Sequence, residues 1–398
     1  MLSKLLLQSK QITEQIDLKF ERYLSKKINW DNRLIAVKGA RGSGKTTLLL
    51  QHIAKKHKSD HTVLYISMED LFFYRNNLLS LADEFVLNGG KYLFLDEVHK
   101  YPDWSREIKL IYDKYKNLHI VFTSSSILEI QKAKYDLSRR ATEYHLKELS
   151  LREYIALNSD INLPAFSLTD ILENHTEISK KIIKKIKPVF EFNNYVVSGA
   201  YPYFIEGKKE YQQKLKNTLN IVLENDLPAV YNIDFNMIHK IKKLLYTVAS
   251  SVPFKPNISK LSERIGVSRP TLLSFLDYLE NAEIIFQLNH DNIGVSSLTK
   301  PEKIYLHNTN LLNIISEDNF NTGNIRETFF INQLSESYKV NFSKETDFTV
   351  NNIYNFEIGG KNKQQKQIKN LPKAYIVKDN IENGMINIIP LWLFGFLY

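Results

Sequence analysis

The chain has 398 residues, 43% of them apolar, with 53 Lys and Arg against 44 Asp and Glu, a net charge of +9. That length holds roughly two to four soluble domains, and the moderate positive balance permits anionic partners without demanding them. It contains no cysteine, which excludes disulfides and thiolate metal sites and fits a reducing, cytoplasmic setting; no apolar run approaches the about eighteen residues of a membrane span, and Met1–Gln8 is too short for a signal-peptide core, so no membrane association is expected.

The first strong pattern is Arg33–Lys38, a short apolar run of strand length, followed by Gly39-Ala40-Arg41-Gly42-Ser43-Gly44-Lys45-Thr46. The eight residues satisfy G-x-x-x-x-G-K-[ST], a phosphate-binding P-loop. Backbone N–H groups of such a loop cradle phosphate oxygens, and the glycines permit the close approach and positive φ this needs. Lys45 is expected to reach the β- and γ-phosphates of ATP, and the Thr46 hydroxyl to help hold Mg²⁺. Thr47 and the helix reading from Lys45 to Ala54 add a positive N-terminal end to the same cradle. The bland reading is a chance glycine-rich turn, which the strand and helix on either side disfavour.

Lys91-Tyr92-Leu93-Phe94-Leu95-Asp96-Glu97 reads as a buried parallel strand with two carboxylates at its carboxyl end. Asp96 is expected to bind Mg²⁺ through water, and Glu97 to orient and polarise an attacking water. A third strand, His119–Thr123, ends in Ser124-Ser125-Ser126. A serine there, Ser125 being the candidate, is placed either between γ-phosphate and water or as an ordinary helix N-cap. Asp136-Leu137-Ser138-Arg139-Arg140-Ala141 follows. Arg140 is read as a finger on γ-phosphate charge, in cis or in trans, or as half of a solvated pair.

From Gly39 through Tyr154 the chain resembles the ATPase module of the AAA+ class, and more narrowly a prokaryotic family of AAA proteins that carry a C-terminal domain of unknown function. The resemblance rests on Gly39–Thr47, Leu95-Asp96-Glu97-Val98-His99-Lys100, Trp104, Thr123–Ser126, Ser138-Arg139-Arg140 and Leu149–Tyr154. Later echoes are Gly199-Ala200-Tyr201-Pro202 and Phe356–Lys361. It departs at Arg139 and Ser124, where these proteins more often have glycine. The resemblance implies a parallel sheet sandwiched by helices, Mg-dependent ATP hydrolysis, and an arginine supplied across a homo-oligomer.

Beyond the ATPase, Ser159 to about Tyr231 reads as helical, broken by Gly199–Pro202. Within it Lys180–Lys187 is a basic amphipathic run, read as a solvated face over an isoleucine stripe in preference to a nucleic-acid or membrane contact. Ile258–Ile265, the turn Gly266-Val267-Ser268 and the helix from Arg269 to Leu279, with Ser268 as N-cap, follow helix-turn-helix grammar. Glu283–Leu288 is the first strand of a wing. Arg269, Thr271 and Ser274 suit DNA, whereas Asp277 and Glu280 do not, so DNA and protein docking both stand.

The last hundred residues carry Glu327 on a helix spanning 324–338, and Asp347 and Glu357 on a β-hairpin turned by Asn351-Asn352. With Lys361 they resemble the core of restriction-endonuclease-like nucleases, where acids bind a metal and a lysine assists. In those enzymes the lysine stands two residues after the glutamate, which here is Gly359; Lys361 is four residues on, and each extra strand residue adds about 3.3 Å. A degenerate domain kept for binding is therefore favoured over an active nuclease. Ile388–Tyr398 is read as a docked final strand or helix.

The expected fold is α/β, with an AAA+ P-loop domain over 1–158, a helical linker over 159–235, a winged helix over 236–298 and a small nuclease-like α/β domain over 299–398. The expected function is ATP hydrolysis coupled to conformational change in the C-terminal domains. The alternative is an ATP-gated DNA-binding protein with nuclease capacity.

Overall fold

A computed structural model describes residues 1–57, 61–124, 137, 139–250, 253–289, 300–316, 322–364 and 368–398. The chain forms two compact units, 1–148 and 149–398.

In the first unit the strands are β1 (Leu34–Lys38), β2 (Val63–Ser67), β3 (Tyr92–Asp96), β4 (His119–Ser124) and β5 (Thr142–His145). They form one parallel sheet in the order β2-β3-β4-β1-β5. This is a P-loop NTPase fold, with β4 inserted between the P-loop strand β1 and the acidic strand β3. The helices are α1 (Leu2–Glu14), α2 (Lys45–Lys56), α3 (Leu78–Leu87) and α4 (Trp104–Lys114). Strand residues alternate between two faces, as the period of two requires. Leu34, Ala36, Leu64, Ile66, Leu93, Leu95, Ile120 and Phe122 share one core with Leu2, Leu5, Leu81, Phe85, Ile108 and Ile111 of α1, α3 and α4. Phe94 points to the other face, where His52 of α2 lies against it. The edge strand β2 is protected locally, because the Ser9 hydroxyl of α1 accepts from the Tyr65 N–H.

The P-loop is braced from behind by Arg22, which is 3% exposed. Its guanidinium donates to the carbonyl of Ser43. It also donates to Lys147 O at 2.6 Å and Glu148 O at 3.1 Å. Gly39 stands where a Cβ would meet the Leu146 carbonyl oxygen at 2.2 Å, so only glycine lets the loop and the 146–148 segment pass.

The second unit begins with α5 (Leu151–Ser159), α6 (Leu168–Ile183), α7 (Pro188–Ser198), α8 (Lys208–Ile221), a π-turn over Val222–Asp226 and α9 (Leu227–Tyr231). Both α5 and α6 open on capping boxes, Ser150 with Glu153 and Ser167 with Asp170. Ile178 and Ile182 are buried on α6 while Lys180 and Lys181 are exposed, so the basic run is a solvated face. Next come α10 (Phe235–Ala249), α11 (Ile258–Ile265) and α12 (Arg269–Asn281). Gly266 takes φ +78° at the turn, and the Ser268 side chain accepts from the Thr271 N–H. The antiparallel pair β6 (Ile285–Leu288) and β7 (Lys303–Leu306) follows, with Phe254 bridging to Ile304.

The remainder is α13 (Thr309–Ile315), α14 (Thr322–Leu334) and a sheet of β8 (Val340–Phe342), β9 (Phe348–Val350), β10 (Tyr354–Gly359), β11 (Ala374–Lys378) and β12 (Ile388–Pro390). Neighbours run β12-β11-β10-β9-β8; β8, β9 and β10 are antiparallel, and β11 and β12 run parallel to β10. Asn351 and Asn352 both take positive φ in the β9–β10 turn, as Asn does readily. The apolar run at 388–398 forms β12 and a buried 3₁₀ turn, Leu391–Phe396. Ser150 Oγ and Arg152 Nε donate to the Tyr398 carbonyl at 2.9 and 2.7 Å.

Two expected boundaries shift. The first unit ends at Glu148, ten residues before 158, because α5 buries Leu151 and Tyr154 against Gly395, Tyr195 and Phe204. The boundary at 298 falls between β6 and β7, which are hydrogen-bonded to each other.

At the centre of the second unit, fully buried Asn310 donates to Tyr195 O and Val196 O at 3.0 Å and accepts from Ala200 N at 2.8 Å and from Tyr211 OH. An unmet buried polar group costs roughly 1–3 kcal/mol. Asn310→Leu should therefore lower the stability of the second unit by at least about 3 kcal/mol, read as a lower urea midpoint of its transition. Arg22→Met should lower the first unit's stability by a similar amount, about 3 kcal/mol, because three buried carbonyls lose a charged donor; the first unit's thermal midpoint measures it.

Candidate nucleotide site

The site lies at the carboxyl ends of β1, β3 and β4. Gly42 and Gly44 take φ of +82° and +95°, and Gly44 is the N-cap of α2. The N–H groups of the first turn, Lys45, Thr46 and Thr47, have no partners within the helix and form the cradle's electropositive floor. Lys45 is buried and donates through Nζ to the carbonyls of Gly39 and Ala40, each at 3.0 Å. Ala40 is buried and Arg41 half-buried along the loop. Ser43 is fully buried and its hydroxyl has no partner among the described residues.

Asp96 collects the other side. It is 2% exposed, and its Oδ2 accepts from Thr46 Oγ1 at 2.6 Å and from Tyr65 OH at 2.9 Å. Its Oδ1 accepts from the Thr123 hydroxyl. The Thr46 hydroxyl and Asp96 carboxylate bring two hard oxygen donors together across β4, a pair suited to Mg²⁺. Burial and the Asp96 charge push the Tyr65 phenol upward, so Tyr65 remains a donor. Glu97 takes a left-handed φ of +54° that turns the chain out of β3. Its N–H donates to Thr123 Oγ1 at 3.1 Å, and its carboxylate lies 3.5 Å from His99 Nε2.

Tyr65, Thr123, His99 and Arg22 were not singled out as site residues from sequence. His99 was within reach, since it follows Glu97 by two residues; Tyr65 and Arg22 depend on pairings that span more than twenty residues. Ser125 lies outside the described residues. Arg140 sits elsewhere: its guanidinium holds Asp113 in a bidentate pair, both contacts 3.0 Å. Asp113 is nine residues along α4 from Trp104, about 14 Å of helix rise from the end that follows β3. Arg140 also precedes β5, whose first residue Thr142 pairs with Ile35 while His145 pairs with Lys38 at the P-loop end. Arg140 thus lies toward the far end of the strands, and the cis-finger expectation does not fit this placement.

In the second unit Glu327, Asp347 and Glu357 do approach one another, but lysines sit among them. Lys303 Nζ is 3.7 Å from both Glu327 Oε2 and Asp347 Oδ1. Tyr305 OH donates to Glu327 Oε2 at 2.6 Å, and Lys363 Nζ pairs with Glu357 Oε1 at 2.5 Å. Burial, with the Asp347 charge adding to it, holds the carboxyls of Glu327 and Glu357 above the usual range. Lys361, the expected lysine, is exposed. Lys363 takes the place beside Glu357 because its stem lies where a Gly359 side chain would be, 2.6–2.7 Å from that Cβ position. Among the described residues no group of three or more His, Asp or Glu is arranged to hold a metal ion. No described helix is long and apolar enough to cross a membrane.

Uncharacterized protein MJ1637 of Methanocaldococcus jannaschii is 28% identical over 299 residues, covering 72% of this chain and 62% of its own length; the chain thus spans less than two thirds of that relative. MJ1544 of the same organism is 23% identical over 353 residues, covering 85% of this chain and 74% of its own length. Among solved structures, the Walker-type ATPase PABY2304 of Pyrococcus abyssi is similar at 12% identity and a TM-score of 0.41, over 74% of this chain and 95% of that one. Residues 189–321 match a domain of unknown function (DUF8612). Residues 31–155 match the AAA domain family, which supports an AAA-type ATPase in this stretch of the chain.

Proposed function

We propose that the first unit is a Mg²⁺-dependent ATPase whose turnover drives conformational change in the C-terminal part of the chain. The observation that carries this reading is the convergence of Thr46 and Asp96 beside Lys45 and Glu97. The P-loop amides bind phosphate oxygens, and Lys45 exchanges its two neutral carbonyl partners for anionic ones. Thr46 and Asp96 would hold Mg²⁺, which would supply positive charge against the phosphates. Glu97 orients the attacking water and accepts its proton. Arg140, at the far end of the strands, serves the reading only as a finger to the site of a second copy.

An ATP-gated DNA-binding protein is the second reading. It is supported by the order α10, Phe254 bridge, α11, α12, β6, β7, which follows winged-helix order, with Arg269 exposed at the start of α12. The acidic cluster of the second unit favours a nuclease-like domain without cleavage, because the Lys303 ammonium occupies the space between Glu327 and Asp347.

Lys45→Ala should abolish nucleotide binding and turnover. Glu97→Gln should keep ATP affinity and lower kcat by about 100-fold or more. Fluorescent-nucleotide titration together with phosphate release measures both; a Glu97→Gln protein that hydrolyses ATP normally would overturn the base assignment. Glu357→Ala should leave ATPase activity unchanged, and the wild type should not nick plasmid DNA in Mg²⁺ or Mn²⁺. Retardation of duplex DNA that weakens with Arg269→Ala would favour the second reading.

A further inference from the structure

We propose that Tyr65, on the edge strand β2, is a positioning residue that holds the Asp96 carboxylate in place for a divalent cation. This rests on the reading of Thr46 and Asp96 as the residues that would hold Mg²⁺, and deepens it. β3 lies between β2 and β4, and each neighbour sends one hydroxyl to the acid at the end of β3. Tyr65 OH donates to Asp96 Oδ2 at 2.9 Å, and the Thr123 hydroxyl donates to Oδ1. Thr46 Oγ1, at the start of α2, donates to Oδ2 as well, at 2.6 Å. Thr46 is called on by both the carboxylate and the ion. Tyr65 and Thr123 serve the carboxylate alone, one oxygen each.

The last side-chain torsion of an aspartate is broad and two-fold, so hydrogen-bond donors, more than packing, set the plane of its carboxylate. Strand register explains why the donor on β2 is a tyrosine. Tyr65 pairs with Phe94 and Ser67 with Asp96, so Tyr65 stands two residues back from the acid on the same face of the sheet. Two residues of strand span about 6.6 Å, a distance that a phenol crosses and a serine or threonine does not. Ser67, directly opposite Asp96, turns its hydroxyl to the Glu69 N–H at 3.3 Å instead. The base of the tyrosine is held as well as its tip. Its main-chain N–H donates to Ser9 Oγ of α1 at 2.9 Å, and its side chain is buried. Three residues on, the Met68 N–H donates to the Asp96 main-chain carbonyl at 2.8 Å. The β2 segment thus grips Asp96 at both its backbone and its carboxylate, and a ligand group fixed by such partners binds metal more tightly than one left to turn.

The test reads metal binding directly, from the electron paramagnetic resonance signal of Mn²⁺ titrated into the protein with a non-hydrolysable ATP analogue. Tyr65→Phe removes one oxygen atom and keeps the ring. It should raise the Mn²⁺ concentration for half-saturation about 10-fold, the scale of losing a partner of a metal ligand. Affinity for the analogue in EDTA should not change, since the P-loop cradle is untouched. The Mg²⁺ concentration that half-activates ATP hydrolysis should rise with the Mn²⁺ value, while kcat at saturating Mg²⁺ is kept. A tyrosine that only fills the core would lower the thermal midpoint in Tyr65→Phe and leave both metal values alone. Half-saturation by Mn²⁺ in Tyr65→Phe at or below the wild-type concentration therefore overturns the positioning role and spares the ATPase reading. A wild-type analogue complex that takes up no Mn²⁺ overturns the metal reading of Thr46 and Asp96, and the role of Tyr65 with it.

Discussion

A carboxylate buried to 2% exposure must be met by donors, and Asp96 is met by three hydroxyls. They come from three different elements: Thr46 at the start of α2, Tyr65 on β2 and Thr123 on β4. Each can reach Asp96 only because β4 lies between β1 and β3, and because β2 lies on the far side of β3. The strand order and the satisfaction of one charge are thus a single constraint. Moving any of these strands by one residue would turn its donor to the opposite face.

The same constraint organises what stands around the site. Thr123 serves twice, donating to Asp96 and accepting from the Glu97 N–H, so the acidic pair is fixed to β4 by one side chain. Ser124, the next residue, faces His99. Two adjacent residues of β4 therefore reach the acidic end of β3, Thr123 through Asp96 and Ser124 through the imidazole that lies 3.5 Å from Glu97. In the second unit the comparable device is Asn310, whose amide joins α7, α8, α13 and the turn at Ala200. Both units depend on buried polar groups whose partners lie far away in sequence.

That separation explains which features were legible in the sequence. The P-loop, the strand ending in Asp96-Glu97, the helix-turn-helix spacing around Gly266 and the Asn351-Asn352 turn all follow from local chemistry, such as glycine freedom, apolar runs and N-caps. The chain order alone did not reveal that Arg22 reaches Ser43 and Glu148, or that Lys303 enters the Glu327–Asp347 pair, since those contacts are made by the topology. Lys363 was missed for a subtler reason. The resemblance to nucleases marks Gly359 as the place for a lysine, whereas a long side chain from beyond the strand folds back over the space glycine leaves. Arg140 was placed by its neighbourhood in sequence, yet β5 sets it toward the opposite end of the sheet.

One guanidinium holds the carbonyls of Ser43, Lys147 and Glu148. Ser43 is inside the phosphate cradle, and Glu148 is the last residue of the first unit. Arg22 cannot follow a displacement of the loop without tugging the strand of chain that leaves the domain. The cradle and the last residues of the first unit thus share one donor, and displacing either set of carbonyls disturbs the hydrogen bonds of the other.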